Sequence, residues 1–193
     1  HEAGHAIVAY LLPEHDPVHK VTIVPRGRAL GVTMTLPEND RLSHTRRTLL
    51  QRMAMAMGGR AAEEVALNEI TSGAANDIEQ ATNMARAMVC EWGMSERIGP
   101  MAWGSQQHVF LGEDLMSSGR EYSDQTARIL DEEISTMLHF QQERARELLM
   151  KHRVGLDLVT EEPKDVSSTD AMNQTVAGSK LYDGWSKQVA ADI

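Results

Sequence analysis

The chain opens on two histidines and a glutamate whose spacing is typical of metal-dependent hydrolases. His1, Glu2 and His5 form an H-E-x-x-H pattern, and an apolar run follows at residues 6–12. On a helix, side chains four residues apart share a face, so both imidazoles can bind one divalent metal. Glu2 projects beside them, where a carboxylate can take a proton from a zinc-bound water as that water attacks a carbonyl. The pattern predicts a zinc hydrolase, against the simpler interpretation of a surface helix with two histidines.

A third ligand must come from elsewhere, because a catalytic zinc usually has three protein ligands and one open position. Glu63 lies in the next predicted helix and is one candidate. Asp77 follows a glycine-bearing loop at the start of a further helix, where a carboxylate also stabilises the helix dipole. The residues alone leave the choice between Glu63 and Asp77 open.

The motif begins at the first residue of the chain. The first four N–H groups of a helix lack partners within the helix, so a helix that begins on a metal ligand frays. We therefore expect this chain to be a piece of a longer protein, cut at the motif.

The composition is that of a globular domain and argues against some functions. With 193 residues, 41% of them hydrophobic, the chain is long enough for one domain and a tail. A net charge of −9 argues against binding to nucleic acid. The single cysteine, Cys90, precludes an internal disulfide and suits a reducing compartment. No apolar run approaches the roughly 20 residues of a membrane span, so we expect the piece itself to be soluble.

Apolar residues at helical spacing predict a mostly helical fold with a small β-sheet. The first helix ends near Leu12, and a short strand covers residues 21–24. A second helix starts at Arg41 and is broken or bent at Gly58 and Gly59. Because aromatic residues are scarce, we expect a core of Leu, Met, Ala and Val.

Two further helices follow. The first carries an apolar stripe predicted to lie in the core, made of Ile78, Ala81, Ala85, Met88 and Trp92. Ser123 predicts the N-cap of a long helix. The helical pattern decays after it, which predicts a domain at residues 1–152 and a polar, mobile tail at residues 153–193.

Residues 30–36 alternate between apolar and small side chains, which predicts a strand. An ordinary half-buried strand explains this pattern. The functional alternative is an edge strand beside the metal that pairs with an extended peptide, with the small side chains leaving room for it.

Five motifs, in one order over the first hundred residues, resemble the peptidase domain of FtsH. The FtsH family comprises the membrane-bound, ATP-dependent AAA zinc metalloproteases of bacteria, mitochondria and chloroplasts. The motifs are HEAGHA at 1–6, PEHDPVHKVTIVPRGRALGVT at 13–33, GGRAAEE at 58–64, TSGAANDIEQATNMAR at 71–86 and WGMSERIGP at 92–100. The resemblance implies a helical zinc metallopeptidase domain.

The resemblance also implies roles for individual residues. It implies that His1, His5 and Asp77 bind one zinc ion and that Glu2 is the catalytic base. Glu63 is then expected to support the ligands. In an unrelated gluzincin-like hydrolase, the alternative, Glu63 would itself be a ligand. The substrate peptide is expected along the predicted strand, at Gly31, Val32, Thr33 and Met34.

Further properties are implied only for a larger protein. The family joins an ATPase module, which uses ATP and Mg²⁺, and a transmembrane segment upstream of the motif. This sequence has no G-x-x-x-x-G-K-[ST] phosphate loop. We expect a homo-hexamer at the cytoplasmic face of the bacterial inner membrane, or an organellar equivalent, that hydrolyses unfolded or membrane proteins. The alternative is a non-catalytic assembly fragment that keeps the motif with its zinc site unformed.

Overall fold

Five helices and one two-stranded sheet make up the described part of the chain. The computed structural model describes residues 1–24, 31–37, 43–103 and 122–161. In chain order the elements are α1 (Glu2–Leu11), β1 (Val18–Thr22), β2 (Val32–Thr35), α2 (Arg46–Leu67), a 3₁₀ turn (Ser72–Ala74), α3 (Ala75–Cys90), α4 (Asp124–Lys151) and α5 (Arg153–Glu161). The expected mostly helical fold with a small β-sheet is confirmed.

Helix α1 crosses α2 at a pair of glycines, which lets the two backbones touch. A Cβ on Gly58 would lie 2.8 Å from the Gly4 carbonyl oxygen, and one on Gly4 would overlap Gly58 O and Ala62 Cβ. The predicted break at Gly58 and Gly59 is wrong, because α2 runs through both residues. Glycine inside a helix costs about 1 kcal/mol relative to alanine, and the close crossing offsets this cost.

Helices α1 to α4 enclose a core of small and flexible apolar side chains, as the composition predicts. Its largest fully buried apolar members are Ile7, Val8, Met53, Met88, Val89, Leu130 and Leu149. On the stripe of α3, Ala81, Ala85 and Met88 are buried as predicted, whereas Trp92 is 50% exposed. The prediction for Trp92 is wrong because α3 ends at Cys90, so helical spacing no longer sets the direction of that side chain.

Hydroxyl side chains cap the two longest helices. Ser123 Oγ accepts a hydrogen bond from Thr126 N at 3.2 Å, which confirms the predicted N-cap of α4. Thr45 plays the same part for α2, accepting from Thr48 N at 3.1 Å. Helix α2 therefore begins at Arg46 rather than at the predicted Arg41.

Helix α5 occupies the start of the segment that the sequence assigned to a tail. Leu156 is buried in the core, and Arg153 donates to the Val65 carbonyl oxygen at 2.7 Å. These contacts fix residues 153–161 against the domain. Residues 162–193, the rest of the predicted tail, lie outside the described residues.

The sheet pairs β1 and β2 antiparallel, beside α1. Thr33 lies opposite Val21, and Val32 lies opposite Thr22. Strand β2 is shorter than the strand predicted at residues 30–36. Its faces are reversed relative to an ordinary half-buried strand, in which the apolar side chains would be the buried ones. Val32 and Met34 are 36% and 45% exposed, while the hydroxyl side of the strand is half-buried.

Candidate metal centre

The start of α1 brings its two histidine rings together as the sequence predicts. His1 is the N-cap residue, and its carbonyl oxygen accepts from His5 N at 3.3 Å, so both side chains follow helical spacing. The two Nε2 atoms are 3.1 Å apart. His5 is buried and His1 is half-buried, so the pair faces the interior of the domain.

Asp77 joins the two rings from α3. The 3₁₀ turn, capped by Thr71, leads into α3 and places Asp77 in its first turn. Its Oδ2 lies 3.2 Å from His1 Nε2 and 3.5 Å from His5 Nε2. Among the described residues, His1, His5 and Asp77 form the one cluster able to hold a metal ion.

Glu63 contacts the opposite side of the His1 ring. Its Oε1 lies 2.9 Å from His1 Nδ1, and its carboxylate also accepts from Thr71 N and Thr71 Oγ1, at 2.8 and 3.1 Å. Glu63 therefore supports His1 and faces away from the point where the two Nε2 atoms meet. This is the position of a residue that orients a ligand.

Both rings are held in the tautomer that a metal requires. His1 Nδ1 faces a carboxylate, and His5 Nδ1 lies 2.8 Å from the Met55 carbonyl oxygen. The Gly59 N–H approaches His5 Nδ1 at 3.3 Å, but the shorter contact is to a carbonyl, which can only accept. These partners favour a proton on each Nδ1, so each Nε2 would be the atom offered to a metal, once His1 gives up the second proton that it carries beside Asp77.

The geometry of these three atoms fits a tetrahedral zinc. Ligand atoms about 2.0–2.1 Å from such an ion lie about 3.3 Å apart. The three observed separations are 3.1, 3.2 and 3.5 Å. Gly59 leaves the space open, because a Cβ there would lie 2.5 Å from His5 Nε2 and 2.6 Å from His1 Nε2. Two imidazoles and one carboxylate are a donor set that suits zinc.

The electrostatics of the cluster favour a bound cation. The hydrogen bond with Asp77, aided by Glu63, raises the pKa of His1 to about 9 despite its burial. Burial disfavours the charge on Asp77, but hydrogen bonds from His1 and His5 hold its pKa well below its usual range. Glu63 has a lowered pKa as well, because the Thr71 backbone N–H and His1 outweigh its burial. Two carboxylates therefore keep their negative charge around the histidines at neutral pH.

Glu2 lies next to the histidines and touches β2. Its Oε2 accepts from Thr33 Oγ1 at 2.7 Å. Gly31 allows this approach, since a Cβ there would lie 2.6 Å from Glu2 Cγ. Val32 and Met34 point the other way and are partly exposed. Of the four residues predicted to bind substrate, Gly31 and Thr33 thus face Glu2, whereas Val32 and Met34 face outwards.

Sequence reasoning missed three contributions to this site, those of Gly59, Thr71 and the Met55 carbonyl. Gly59 was interpreted as part of a helix break or bend, and Thr71 only as the start of the motif at 71–86. A glycine pair inside a helical pattern is the signal for a close approach, here that of the two histidine rings. The Met55 carbonyl had no signal, because every residue has one.

Comparison with known proteins identifies the family. Residues 1–165 match peptidase family M41. The chain belongs to peptidase family M41. The resemblance to FtsH peptidase domains is thereby confirmed, and the FtsH relatives are named ATP-dependent zinc metalloproteases.

Three M41 relatives illustrate the match. The chain is 57% identical over 156 residues to an ATP-dependent zinc metalloprotease FtsH of Acidimicrobium ferrooxidans, covering 81% of this chain and 24% of the relative. Identity to FtsH of Myxococcus xanthus is 50%, covering 94% and 29% respectively. For FtsH of Thermotoga maritima it is 49%, covering 83% and 27%. The chain thus spans about a quarter of the length of these relatives. In the part of the chain that the structure describes, no helix combines the length and apolarity needed to cross a bilayer.

Proposed function

We propose that this M41 domain is a zinc-dependent endopeptidase in which His1, His5 and Asp77 hold the metal and Glu2 is the base. The observation that carries the proposal is the convergence of three potential ligand atoms at separations of 3.1, 3.2 and 3.5 Å. Glu63 keeps the His1 ring in position. The alternative in which Glu63 binds the metal requires it to leave His1 Nδ1 and Thr71.

The proposed chemistry is hydrolysis of a peptide bond. Zinc held by His1, His5 and Asp77 would supply a water with a pKa of about 7 and would polarise the scissile carbonyl. Glu2 accepts the proton of the attacking water and passes it to the leaving amine as the C–N bond breaks. Asp77 is a weak base because its pKa is lowered, and Glu63 is engaged by His1 Nδ1. Neither carboxylate therefore competes with Glu2 for that proton.

We propose that the substrate lies along β2. The sheet has two strands, so within the described residues the second edge of β2 has no strand partner. An extended peptide can pair with such an edge through backbone hydrogen bonds over residues 31–34. The exposed side chains of Val32 and Met34 offer it apolar contacts. Backbone pairing tolerates many sequences, which suits unfolded proteins as substrates.

The names of the relatives extend the proposal to the intact protein. They are ATP-dependent zinc metalloproteases. We propose that an AAA module using ATP and Mg²⁺ delivers unfolded or membrane proteins to this domain, in a membrane-bound homo-hexamer. ATP should then accelerate casein degradation by the intact protein, and cleavage of a short unstructured peptide should need no ATP.

The role of Glu2 can be tested with the Glu2→Gln variant of the intact protein. Zinc content, measured by atomic absorption, should stay at one per chain, while casein cleavage falls about 100- to 10,000-fold. Glu79→Gln, an exposed position of α3, is the matched control and should cleave normally. Loss of zinc in Glu2→Gln, or full activity, would contradict the assignment of the base. A wild-type protein with neither bound zinc nor cleavage would favour the non-catalytic assembly role, in which the zinc site is unformed.

A further inference from the structure

The side chain of Thr33 makes the shortest polar contact of Glu2. Thr33 Oγ1 lies 2.7 Å from Glu2 Oε2 and 3.0 Å from the Glu2 carbonyl oxygen. Resting on the proposed role of Glu2 as the base, we infer that Thr33 is a positioning residue that holds this carboxylate in its working orientation. The strand proposed to bind substrate would thus also aim the base.

The register of the sheet fixes where the Thr33 side chain points. Thr33 lies opposite Val21 of β1, and Val21 is buried beside α1. Because side chains alternate along a strand, Val32 and Met34 then face outwards and Thr33 faces α1. Threonine has few accessible χ1 rotamers, so little freedom is lost when its hydroxyl is held against Glu2.

Thr33 can donate only one hydrogen, and the two candidate acceptors differ in strength. The Glu2 carboxylate is charged and closer, and charge-assisted hydrogen bonds are about twice as strong as neutral ones. The Glu2 carbonyl oxygen is also the normal acceptor of a helical N–H within α1. The hydroxyl therefore donates to Oε2.

The second carboxylate oxygen is fixed by packing. Glu2 Oε1 lies over Gly31, where a Cβ would come within 2.7 Å of it. With Oε2 engaged by Thr33, Oε1 is the oxygen left to take the proton. Thr33 of β2 and Gly31, the residue before the strand, together set the direction from which the base can act.

The size of the effect follows from how strictly proton transfer depends on distance. A base must lie within hydrogen-bond reach of the proton that it accepts, and a misplacement of about 1 Å can cost about 100-fold in rate. Removing the hydroxyl frees rotation of Glu2 without touching zinc or the backbone of β2. We expect kcat to fall about 10- to 100-fold, with KM unchanged.

The experiment compares Thr33→Val with Thr33→Ser in the intact, zinc-loaded protein. Valine keeps the shape and removes the hydroxyl, and serine restores it. The substrate is a short, unstructured fluorogenic peptide, so that unfolding and translocation do not limit the rate. Thr35→Val, two residues along on the same face of β2, is the matched control for strand stability, and Thr136→Val, at an exposed position of α4, should cleave as the wild type does.

Two measurements separate positioning of Glu2 from simple stabilisation of the strand. The side chain of aspartate in a Glu2→Asp variant is too short for its carboxylate to meet the Thr33 hydroxyl. In that background, Thr33→Val should therefore cost little further activity. A crystal structure of metal-free Thr33→Val should show the Glu2 side chain in more than one rotamer, with β2 unmoved. Melting temperature and zinc content should match those of Thr35→Val.

The outcomes distinguish this inference from the proposed function. Full activity of Thr33→Val beside an active wild type would overturn the inference and leave the peptidase proposal standing. The inference would equally fail if serine did not restore kcat, or if KM rose while kcat held. An inactive wild type with zinc bound would overturn both.

Discussion

Three side chains of the candidate centre, His1, His5 and Glu2, are each held by a separate partner. His1 is fixed through Nδ1 by Glu63, His5 by the Met55 carbonyl, and Glu2 by Thr33. These partners fix the orientation of each side chain, and the Nε2 atoms of the two histidines lie 3.1 Å apart as a result. Because the two rings are already ordered in the metal-free protein, little of the free energy of metal binding would be lost in ordering them.

Asp77, proposed as a metal ligand, and Glu63, proposed as the support of His1, should differ in their effect on zinc affinity. Asp77→Ala removes a donor 3.2 Å from His1 Nε2 and should reduce zinc binding to the level of a two-ligand site. Glu63→Ala removes only the partner of His1 Nδ1 and should weaken zinc about 10- to 100-fold. Competition with a fluorescent chelator measures both affinities.

Glu64→Ala is the matched control for Glu63→Ala. Glu64 is the next residue of α2 and pairs with Arg60 and Gln142 instead of the histidines, so zinc affinity should be unchanged. Stronger loss of zinc in Glu63→Ala than in Asp77→Ala would reverse the two assignments.

At the scale of elements, the crossing of α1 and α2 sets the site, because α1 carries both histidines and α2 carries their supports. Gly4→Ala should force the helices apart, since the new Cβ overlaps Gly58 O and Ala62 Cβ. Overpacking of this kind costs about 1–3 kcal/mol. The loss would appear in urea unfolding of the metal-free protein.

Ser135→Ala, at an exposed position of α4, is the control for the change in helix propensity and should be neutral or slightly stabilising. If Gly4→Ala were as stable as wild type, the helices would not be in backbone contact. Zinc affinity should fall together with stability in Gly4→Ala, because His5 moves with the shifted helix.

Predictions from the sequence were mostly confirmed for local features and failed for features that depend on contacts between distant segments of the chain. The H-E-x-x-H spacing, the Ser123 cap and the stripe of α3 depend on neighbours within a few residues, and these predictions hold, except at the two ends of the stripe, where Ile78 is only half-buried and Trp92 lies beyond the end of α3. The unbroken course of α2 through Gly58 depends on α1, which is fifty residues away in the chain. Likewise, nothing in the alternation of residues 30–36 says which face meets α1.

The choice between Asp77 and Glu63 failed to follow from the residues for the same reason. Both are carboxylates at suitable places in helices, and only packing decides which one meets Nε2 and which one meets Nδ1. The likeness to FtsH favoured Asp77 because it carried information from folded relatives. Physical reasoning on a single sequence has no equivalent source for contacts between distant segments.

On the scale of the whole molecule, the centre joins three elements that are far apart in the chain. His1 and His5 lie on α1, Glu63 on α2, and Asp77 on α3. Charge in the cluster therefore contributes to the stability of the fold as well as to chemistry. A metal ion, or a proton in its place, holds these elements together.

This coupling predicts that stability of the metal-free protein depends on pH. The pKa of His1 is raised from 6.5 to about 9 in the folded state. Its protonation thus stabilises the fold fully below about pH 6.5, and this contribution is lost as the pH rises through about 9. The free energy of unfolding of chelator-treated protein, from urea titrations between pH 6 and 9.5 (about the range that the shift spans), should fall over this window.

His1→Gln isolates the contribution, because glutamine keeps hydrogen-bonding capacity and does not titrate. The difference between wild type and His1→Gln should shrink steadily from pH 6.5 to 9. Zinc should abolish the dependence, since the bound metal replaces the proton on His1 and holds Asp77 on its own. Parallel curves for wild type and His1→Gln would show that His1 carries no linked proton in the folded state, and the cluster of His1, His5 and Asp77 would then not be as close as described.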